Sequence, residues 1–314
     1  MNWTLPSKEI AMELSSYCGA NCVCCPHEEW PGYLRNKNME FSLFKKCVDD
    51  AAAHGGVSLD ICLMGDALLD PGIEEKLEYV RDTYPYMEIY CSSTCQMAKP
   101  EFVSKYINTL QISMYGTTKE VYESVHRGSL QFEKVMENVE GILALPKDKR
   151  PYIEMVFLML PENEFQVKDW LRKWEPLADE VIVWRKHNWA GRWVETSPGK
   201  EKLMNAKSCN RPFGGDLCVW VNGDVTVCCF SENKSLVVGN MYEQTLEEIY
   251  FGEKMKKIKE IHKNNAFFNC GLPCEKCDQI FPRDDALVYS SKNRTVGTKI
   301  SHKDLVYKFS DGIK

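Results

Sequence analysis

The chain has 314 residues, 44% of them hydrophobic and 27% charged, with a formal net charge of −6. That length suits one large domain or two ordinary ones, and the interspersed polar and apolar residues argue against a disordered or fibrous chain. The acidic balance argues against phosphate-backbone binding as the main task. No apolar run approaches the roughly 18–20 residues of a membrane-spanning helix, and the start MNWTLPSKEIAMEL lacks the basic flank and apolar stretch of a secretory signal. The expectation is a cytoplasmic protein with no nucleic-acid or membrane partner.

In chain order, short apolar runs alternate with amphipathic stretches from residue 8 to about residue 194, the pattern of repeated βα units around a parallel sheet. Strands are predicted at Glu9 to Leu14, Val57 to Leu63, Met87 to Cys91, Thr109 to Met114, Ile153 to Met159 and Glu180 to Trp184. Helices are predicted at about residues 41–54, 72–83, 100–106, 131–145 and 165–174. In the first of these Leu43, Phe44, Cys47 and Val48 share a face, and Ser42 offers a cap. After Trp193 a polar stretch leads into two β-like runs, Leu217 to Val221 and Asp224 to Cys228, joined by the hairpin signal Asn222-Gly223. Helical stretches at about residues 245–262, a second cysteine cluster and a polar tail from about residue 279 complete the chain. The domain boundary is predicted near residue 195, dividing the chain into 1–194, 195–280 and a tail 281–314.

The sequence holds 15 cysteines, an odd number that defeats complete internal pairing. In a reducing compartment, clustered cysteines are better explained by metal than by disulfides. Cys18, Cys22 and Cys25 form CxxxCxxC directly after the first predicted strand. Loops leaving the carboxyl ends of parallel strands are where α/β proteins assemble sites. A zinc site is the alternative, but zinc sites usually pair two CxxC units and close with a fourth ligand.

This loop resembles the signature of the radical S-adenosylmethionine (SAM) superfamily. The resemblance implies a 4Fe-4S cluster on Cys18, Cys22 and Cys25, with one iron left to chelate SAM. Cys24 is a departure, since relatives usually carry an aromatic or large apolar residue there; it is read as packing, although a register that uses Cys24 stays open. Met64 to Ala67 resembles the family segment whose backbone receives the SAM amino group, with Gly65 and Asp66 as site residues. Asp66 stands where relatives have Glu. Ser92 and Ser113 resemble residues lining SAM, as do Ser93 and Thr94, and Arg127 resembles the arginine near its carboxylate. Ordinary loop hydrogen bonding is the alternative for the hydroxyl residues, and a solvated surface position for Arg127.

Cys209, Gly223 and Cys228 fit Cx13Gx4C, and Cys274 with Cys277 adds CxxC. This pattern is similar to the twitch domain, the shortened form of the SPASM extension. It implies a second 4Fe-4S cluster on Cys209, Cys228, Cys274 and Cys277. The glycine spacing favours Cys228 over its neighbour Cys229, and four thiolates also suit zinc. Cys218, Cys47, Cys62, Cys91 and Cys95 read as small core hydrophobes. Cys270 is open between a ligand, a free thiol and a hydrogen-atom donor.

The resemblance implies a partial (β/α)6 barrel followed by a small α+β hairpin-and-helix domain. It also implies an external one-electron reductant such as flavodoxin or ferredoxin. WRKHNWAGRW, Trp184 to Trp193, is expected to border the substrate cavity, with Arg185 and Arg192 as donors or bases and Trp189 as a stacking platform; a linker with surface charges is its alternative. In the family, SAM cleavage yields a 5'-deoxyadenosyl radical that takes hydrogen from carbon. The substrate radical then loses an electron and a proton, giving dehydrogenation, or regains hydrogen from a thiol on the other face, giving epimerisation. A carbohydrate or other small molecule is preferred over a ribosomally made peptide because the cysteine motif starts at residue 18. A metal-binding scaffold without catalysis is the non-enzymatic alternative.

Overall fold

The computed structural model describes residues 3–30, 33–193, 205–231, 234–281, 286–292, 295–296 and 299–300. The strands in chain order are β1 (Glu9–Met12), β2 (Ser58–Asp60), β3 (Glu88–Ser93), β4 (Thr109–Ser113), β5 (Tyr152–Met159), β6 (Glu180–Arg185), β7 (Leu217–Val219), β8 (Asp224–Thr226), β9 (Val237–Asn240) and β10 (Leu287–Ser290). The helices are α1 (Phe41–Ala53), α2 (Ile73–Thr83), α3 (Pro100–Tyr106), α4 (Lys119–Val125), α5 (Phe132–Leu143), α6 (Val167–Trp174), α7 (Arg211–Gly214), α8 (Leu246–Tyr250) and α9 (Glu253–Lys263). All six strands expected between residues 8 and 194 are present. The expected domain boundary at 194/195 lies outside the described residues.

The chain divides into two units. The first comprises Met1–Tyr17, Pro31–Ile89 and His187–Pro282. Here β1 pairs in parallel with both β2 and β7, in the registers Ile10↔Leu59 and Ile10↔Leu217. β8 and β9 follow as antiparallel neighbours. Ile10, Met12, Leu59 and Val219 lose all contact with solvent, together with Leu43 at 1% exposure and Phe44, Cys47 and Val48 at 0%. Burying an aliphatic or aromatic side chain of this kind stabilises by about 1.5–3 kcal/mol, so the apolar stripe of α1 accounts for its docking. Ser42 does not cap α1: the capping position is Glu40, which makes no side-chain cap bond.

The second unit comprises Cys18–Trp30, Tyr90–Lys186 and Arg283–Lys314. Strands β3, β4, β5 and β6 run parallel, with Cys91↔Leu110, Ile112↔Met155 and Val156↔Ile182 in register. β10 returns antiparallel beside β6. It falls in the region expected to be a polar tail, where LVYS is too short to show a period but Leu287, Val288 and Ser290 are buried. Trp170 and Trp174, four apart on α6, are 0% and 1% exposed. In each unit the strand set is open, so the expected barrel is an open, parallel-dominated α/β sheet.

The helical stretches expected over residues 245–262 are present as two helices, because Gly252 adopts an extended conformation (ψ 158°) and starts α9 afresh. Thr245 caps α8 in a reciprocal capping box with Glu248, an N-terminal signal the periodicity overlooked. Among the described residues no helix is long and apolar enough to cross a membrane.

Candidate metal and cofactor sites

The first cysteine loop is held from outside by the turn that follows α4. Val23 N–H donates to the Val125 carbonyl at 2.9 Å, and Asn21 N–H donates to Ser129 Oγ at 2.8 Å. Arg127 donates to Asn21 Oδ1 at 3.3 Å from a left-handed backbone conformation (φ 49°). Within the loop Cys25 N–H closes on the Cys22 carbonyl at 3.1 Å. Cys24 packs with Val125 and Leu160, as expected of a packing residue. A hydrogen bond to Cys24 and burial raise the Cys22 thiol well above its ordinary value, with Cys25 and Cys18 adding to the effect. Burial pushes Cys25 up to about 12, opposed by a backbone N–H from His27. The loop therefore brings Cys18, Cys22 and Cys25 within electrostatic reach of one another. Such thiols release their protons readily only to a metal.

The four hydroxyl and glycine positions differ in how they are committed. Gly65 has no space for a side chain, since a Cβ there would lie 2.0 Å from the Ser15 carbonyl oxygen. Asp66 N–H donates to the Tyr17 carbonyl at 2.8 Å, while its side chain accepts from Leu68 N–H at 3.1 Å. The Met64–Ala67 turn is thus pressed onto the strand exit that leads to Cys18. Ser92 Oγ donates to Gln111 at 3.2 Å, and Ser113 accepts from the Tyr115 hydroxyl at 3.2 Å. Ser93 accepts from Cys95 N–H at 2.9 Å.

The second cysteine set is assembled from three separate segments. Cys209 sits between Ser208, which bonds His262 Nδ1 at 3.0 Å, and Asn210, whose left-handed backbone (φ 65°) opens α7. Gly223, at φ 80°, turns the β7–β8 hairpin, and its N–H donates to the Trp220 carbonyl at 2.8 Å. This brings Cys228 back from the end of β8. Cys274 and Cys277 share one 3-10 turn, with Cys277 N–H on the Cys274 carbonyl at 3.1 Å and Gln279 N–H on Cys277 Sγ at 3.4 Å. Burial raises Cys274 and Cys277, and for both the next cause is Cys228. Burial pushes Cys228 up to about 12 against the pull of the Arg211 guanidinium. Cys229 is also raised by burial and also lies within reach of Arg211.

Arg211 went unnoticed in the sequence. Burial would depress it, yet Cys229, Cys228, Cys209 and Cys277 together hold it above its ordinary range. Its guanidinium lies 4.5 Å from the Phe230 ring centre, and Phe230 in turn stacks on His187 at 3.8 Å. Four thiols within electrostatic reach of one half-buried guanidinium suit a thiolate-ligated iron-sulfur centre, whose negative charge needs compensation. Among the described residues no three His, Cys, Asp or Glu side chains stand close enough to enclose a metal ion as placed.

Asn188, also missed, ties the Trp184–Trp193 segment to the CxxC turn. Its side chain donates to the Lys276 carbonyl at 2.7 Å and accepts from Asp278 N–H at 3.1 Å, and its own N–H reaches Asp278 Oδ2 at 3.1 Å. A Cβ on Gly191 (φ 85°) would lie 2.3 Å from Lys276 Cβ. Arg192 N–H donates to the Trp189 carbonyl at 3.2 Å in the same turn, whereas Arg185 belongs to β6 and the other unit. Cys270 follows α9, is half-buried, has its thiol raised by burial, and affects Cys274 only weakly. Cys47, Cys62, Cys91, Cys95 and Cys218 are all buried.

In the first unit a bank of carboxyl groups is formed by Glu9 on β1, Asp60 on β2 and Asp216 just before β7. Glu9 is raised by burial and by Asp216, with which it shares a hydrogen bond. Asp60 is raised well above its range by burial, helped by Glu9 and Asp216 and opposed by the Cys62 N–H. Both Asp60 and Asp216 act electrostatically on Cys229.

Residues 209–278 match the SPASM family model, an iron-sulfur cluster-binding domain. No curated protein sequence matches the chain. Among solved structures it resembles BtrN in complex with AdoMet and 2-DOIA, with 16% identity, a TM-score of 0.61, and 91% of this chain and 100% of that one covered. It is similar to anSMEcpe with bound AdoMet, at 14% identity and TM-score 0.63 over 97% and 92% of the two chains. It is also similar to Streptococcus suis SuiB bound to the precursor peptide SuiA, at 13% identity and TM-score 0.63 over 89% and 71%. The likeness to these structures is one of fold, and the family match is confined to the iron-sulfur cluster-binding domain model over residues 209–278.

Proposed function

We propose that this chain is a radical SAM oxidoreductase acting on a carbohydrate or other small molecule. One 4Fe-4S cluster is held by Cys18, Cys22 and Cys25, and a second by Cys209, Cys228, Cys274 and Cys277. SAM binds at the turn of Gly65 and Asp66, with Ser92, Ser113 and Arg127 as further contacts. When bound and reduced, the first cluster supplies the electron that cleaves SAM to methionine and a 5'-deoxyadenosyl radical.

The observation that supports the choice of oxidation is the pair Asp60 and Asp216, which act electrostatically on Cys229, with Glu9 coupled to both. Glu9 and Asp216 share a hydrogen bond, and the ionised member of such a pair is an acceptor for the hydroxyl proton that a substrate alcohol gives up on oxidation. Arg211 compensates negative charge on the neighbouring thiolates. Arg185 and Arg192 orient polar substrate groups, and the BtrN neighbour has 2-DOIA bound beside AdoMet.

Epimerisation by hydrogen return from the Cys270 thiol is the second small-molecule outcome. A peptide substrate is the rival class, favoured by the peptide-bound structures of anSMEcpe and SuiB. Anaerobic reconstitution tests the core of the proposal: about eight iron and eight sulfide per chain, with 5'-deoxyadenosine formed under reduction. A stoichiometric zinc signal without SAM cleavage would overturn it in favour of the scaffold reading. Product mass separates the outcomes, since loss of two hydrogens marks oxidation, and unchanged mass with one deuterium taken from heavy water marks epimerisation.

A further inference from the structure

We propose that Glu13 is a positioning residue for SAM: its carboxylate gathers the Met64–Gly65 turn, the segment after β7 and the Tyr33 hydroxyl into one junction, and so fixes the turn's backbone for the ligand. The inference rests on the reading of Gly65 and Asp66 given above.

Glu13 follows β1 directly and is 1% exposed. Its carboxylate accepts from the Tyr33 hydroxyl and from Met64 N–H at 3.3 Å, and the N–H groups of Gly65 and Val221 also donate to it. Four donors from three chain segments therefore converge on one side chain. An ionised carboxylate, with two oxygens and about four lone-pair directions, is the group that accepts all of them. Burial pushes the carboxyl up to about 7, opposed first by Tyr33 and then by the three backbone donors. Beside it lies a cavity of about 220 Å³ whose charged and polar lining includes Tyr33, Asn222, Asp224 and Lys234. Asp224 is itself held by the side-chain amides of Asn222 at 2.8 Å and Asn240 at 2.9 Å.

The turn that Glu13 holds has no slack elsewhere. Gly65 abuts the Ser15 carbonyl so closely that no Cβ fits, and Asp66 N–H is tied to the Tyr17 carbonyl at 2.8 Å. The strand exit thus fixes one side of the turn and Glu13 fixes the other. Loss of the carboxylate frees the Met64 and Gly65 N–H groups to reorient, while the cysteine ligands keep their places. The expected consequence falls on SAM affinity rather than on iron content.

The test uses the full chain, reconstituted anaerobically, with SAM as the probe. Glu13→Gln keeps the size but puts an amide N–H among the donors. It should retain wild-type iron and a cooperative melting transition lowered by a few degrees, raise both the calorimetric Kd and the KM for SAM about tenfold, and leave kcat for 5'-deoxyadenosine at saturating SAM within about threefold. Tyr33→Phe removes one donor and should raise the Kd about two- to threefold. A folded, iron-loaded Glu13→Gln protein with wild-type SAM affinity overturns the proposal, as does a loss confined to kcat. If Glu13→Gln does not fold, an unchanged Kd in Tyr33→Phe overturns it instead. A wild-type protein that binds no SAM and forms no 5'-deoxyadenosine removes the underlying reading together with this one. A wild type that does both, beside an unaffected variant, removes Glu13 alone.

Discussion

The two cysteine sets are built on opposite plans. Cys18, Cys22 and Cys25 lie within one short loop, so their convergence costs little chain entropy beyond ordering that loop. Cys209, Cys228, Cys274 and Cys277 come from three segments and depend on a hairpin, a 3-10 turn and the Asn188 tie. The local set is held by hydrogen bonds to its loop, one of them from Arg127, whereas Cys209, Cys228 and Cys277 of the distributed set act together with Cys229 on the half-buried Arg211 guanidinium. The difference teaches that close spacing puts three thiols on one loop, while four thiols drawn from three segments need the surrounding fold to approach one another.

The sharpest way to break this comparison is to replace Cys18, Cys22 and Cys25 together with alanine. Formation of 5'-deoxyadenosine should fall by at least about a thousandfold, while iron falls only from about eight to about four per chain, because the distributed set does not rely on the loop. Complete loss of iron would show the two sets to be interdependent. Next in size is the contest between neighbours: Cys228→Ser should lose the second cluster and about four iron, and Cys229→Ser should keep it. The reverse result, read by iron analysis and electron paramagnetic resonance, would move the ligand by one residue.

A smaller effect is expected from Arg211→Gln. A unit charge about 6 Å away at an effective dielectric near 20 is worth about 3 kcal/mol. Its loss should therefore shift the second cluster's midpoint potential negative on the order of 100 mV in a redox titration, leaving the first unchanged.

The smallest effect is on stability and concerns a buried histidine beside each set. His126 follows Val125, which anchors the first loop, and burial pushes it down to about 4 despite a hydrogen bond to the Tyr122 carbonyl. His262, bonded to Ser208, is also pushed down to about 4 by burial. Each is neutral in the fold, so the stability it contributes is complete above the ordinary value of 6.5 and is lost as pH falls toward 4. The loss amounts to roughly 1–3 kcal/mol per histidine. Thermal melts at pH 7.5 and pH 5 should show that acid destabilises the wild type more than His126→Gln.

Much of this arrangement was legible in the sequence because it is periodic or local. β5 and β6 are near-continuous apolar runs, as parallel strands buried on both faces require. The CxxxCxxC spacing and the Asn222-Gly223 turn are complete within a few residues, and Gly223 indeed takes the left-handed conformation. Arg211 and Asn188 were not legible, since a charged or amide residue in a polar stretch looks solvent-facing until tertiary contacts enclose it. Glu13 was hidden differently, as an acid at the end of an apolar strand whose four donors come from distant positions. The short strands β9 and β10 were missed because VVGN and LVYS are too brief to establish an alternation.

The Asn188 tie also defines how this protein can be recombined. Because residues 188–191 and 276–278 interlock through hydrogen bonds and a glycine contact that admits no side chain, a chimera that imports the region matching residues 209–278 from another protein must take its splice upstream of His187. A join placed after Trp193 would pair one parent's latch with the other parent's catch.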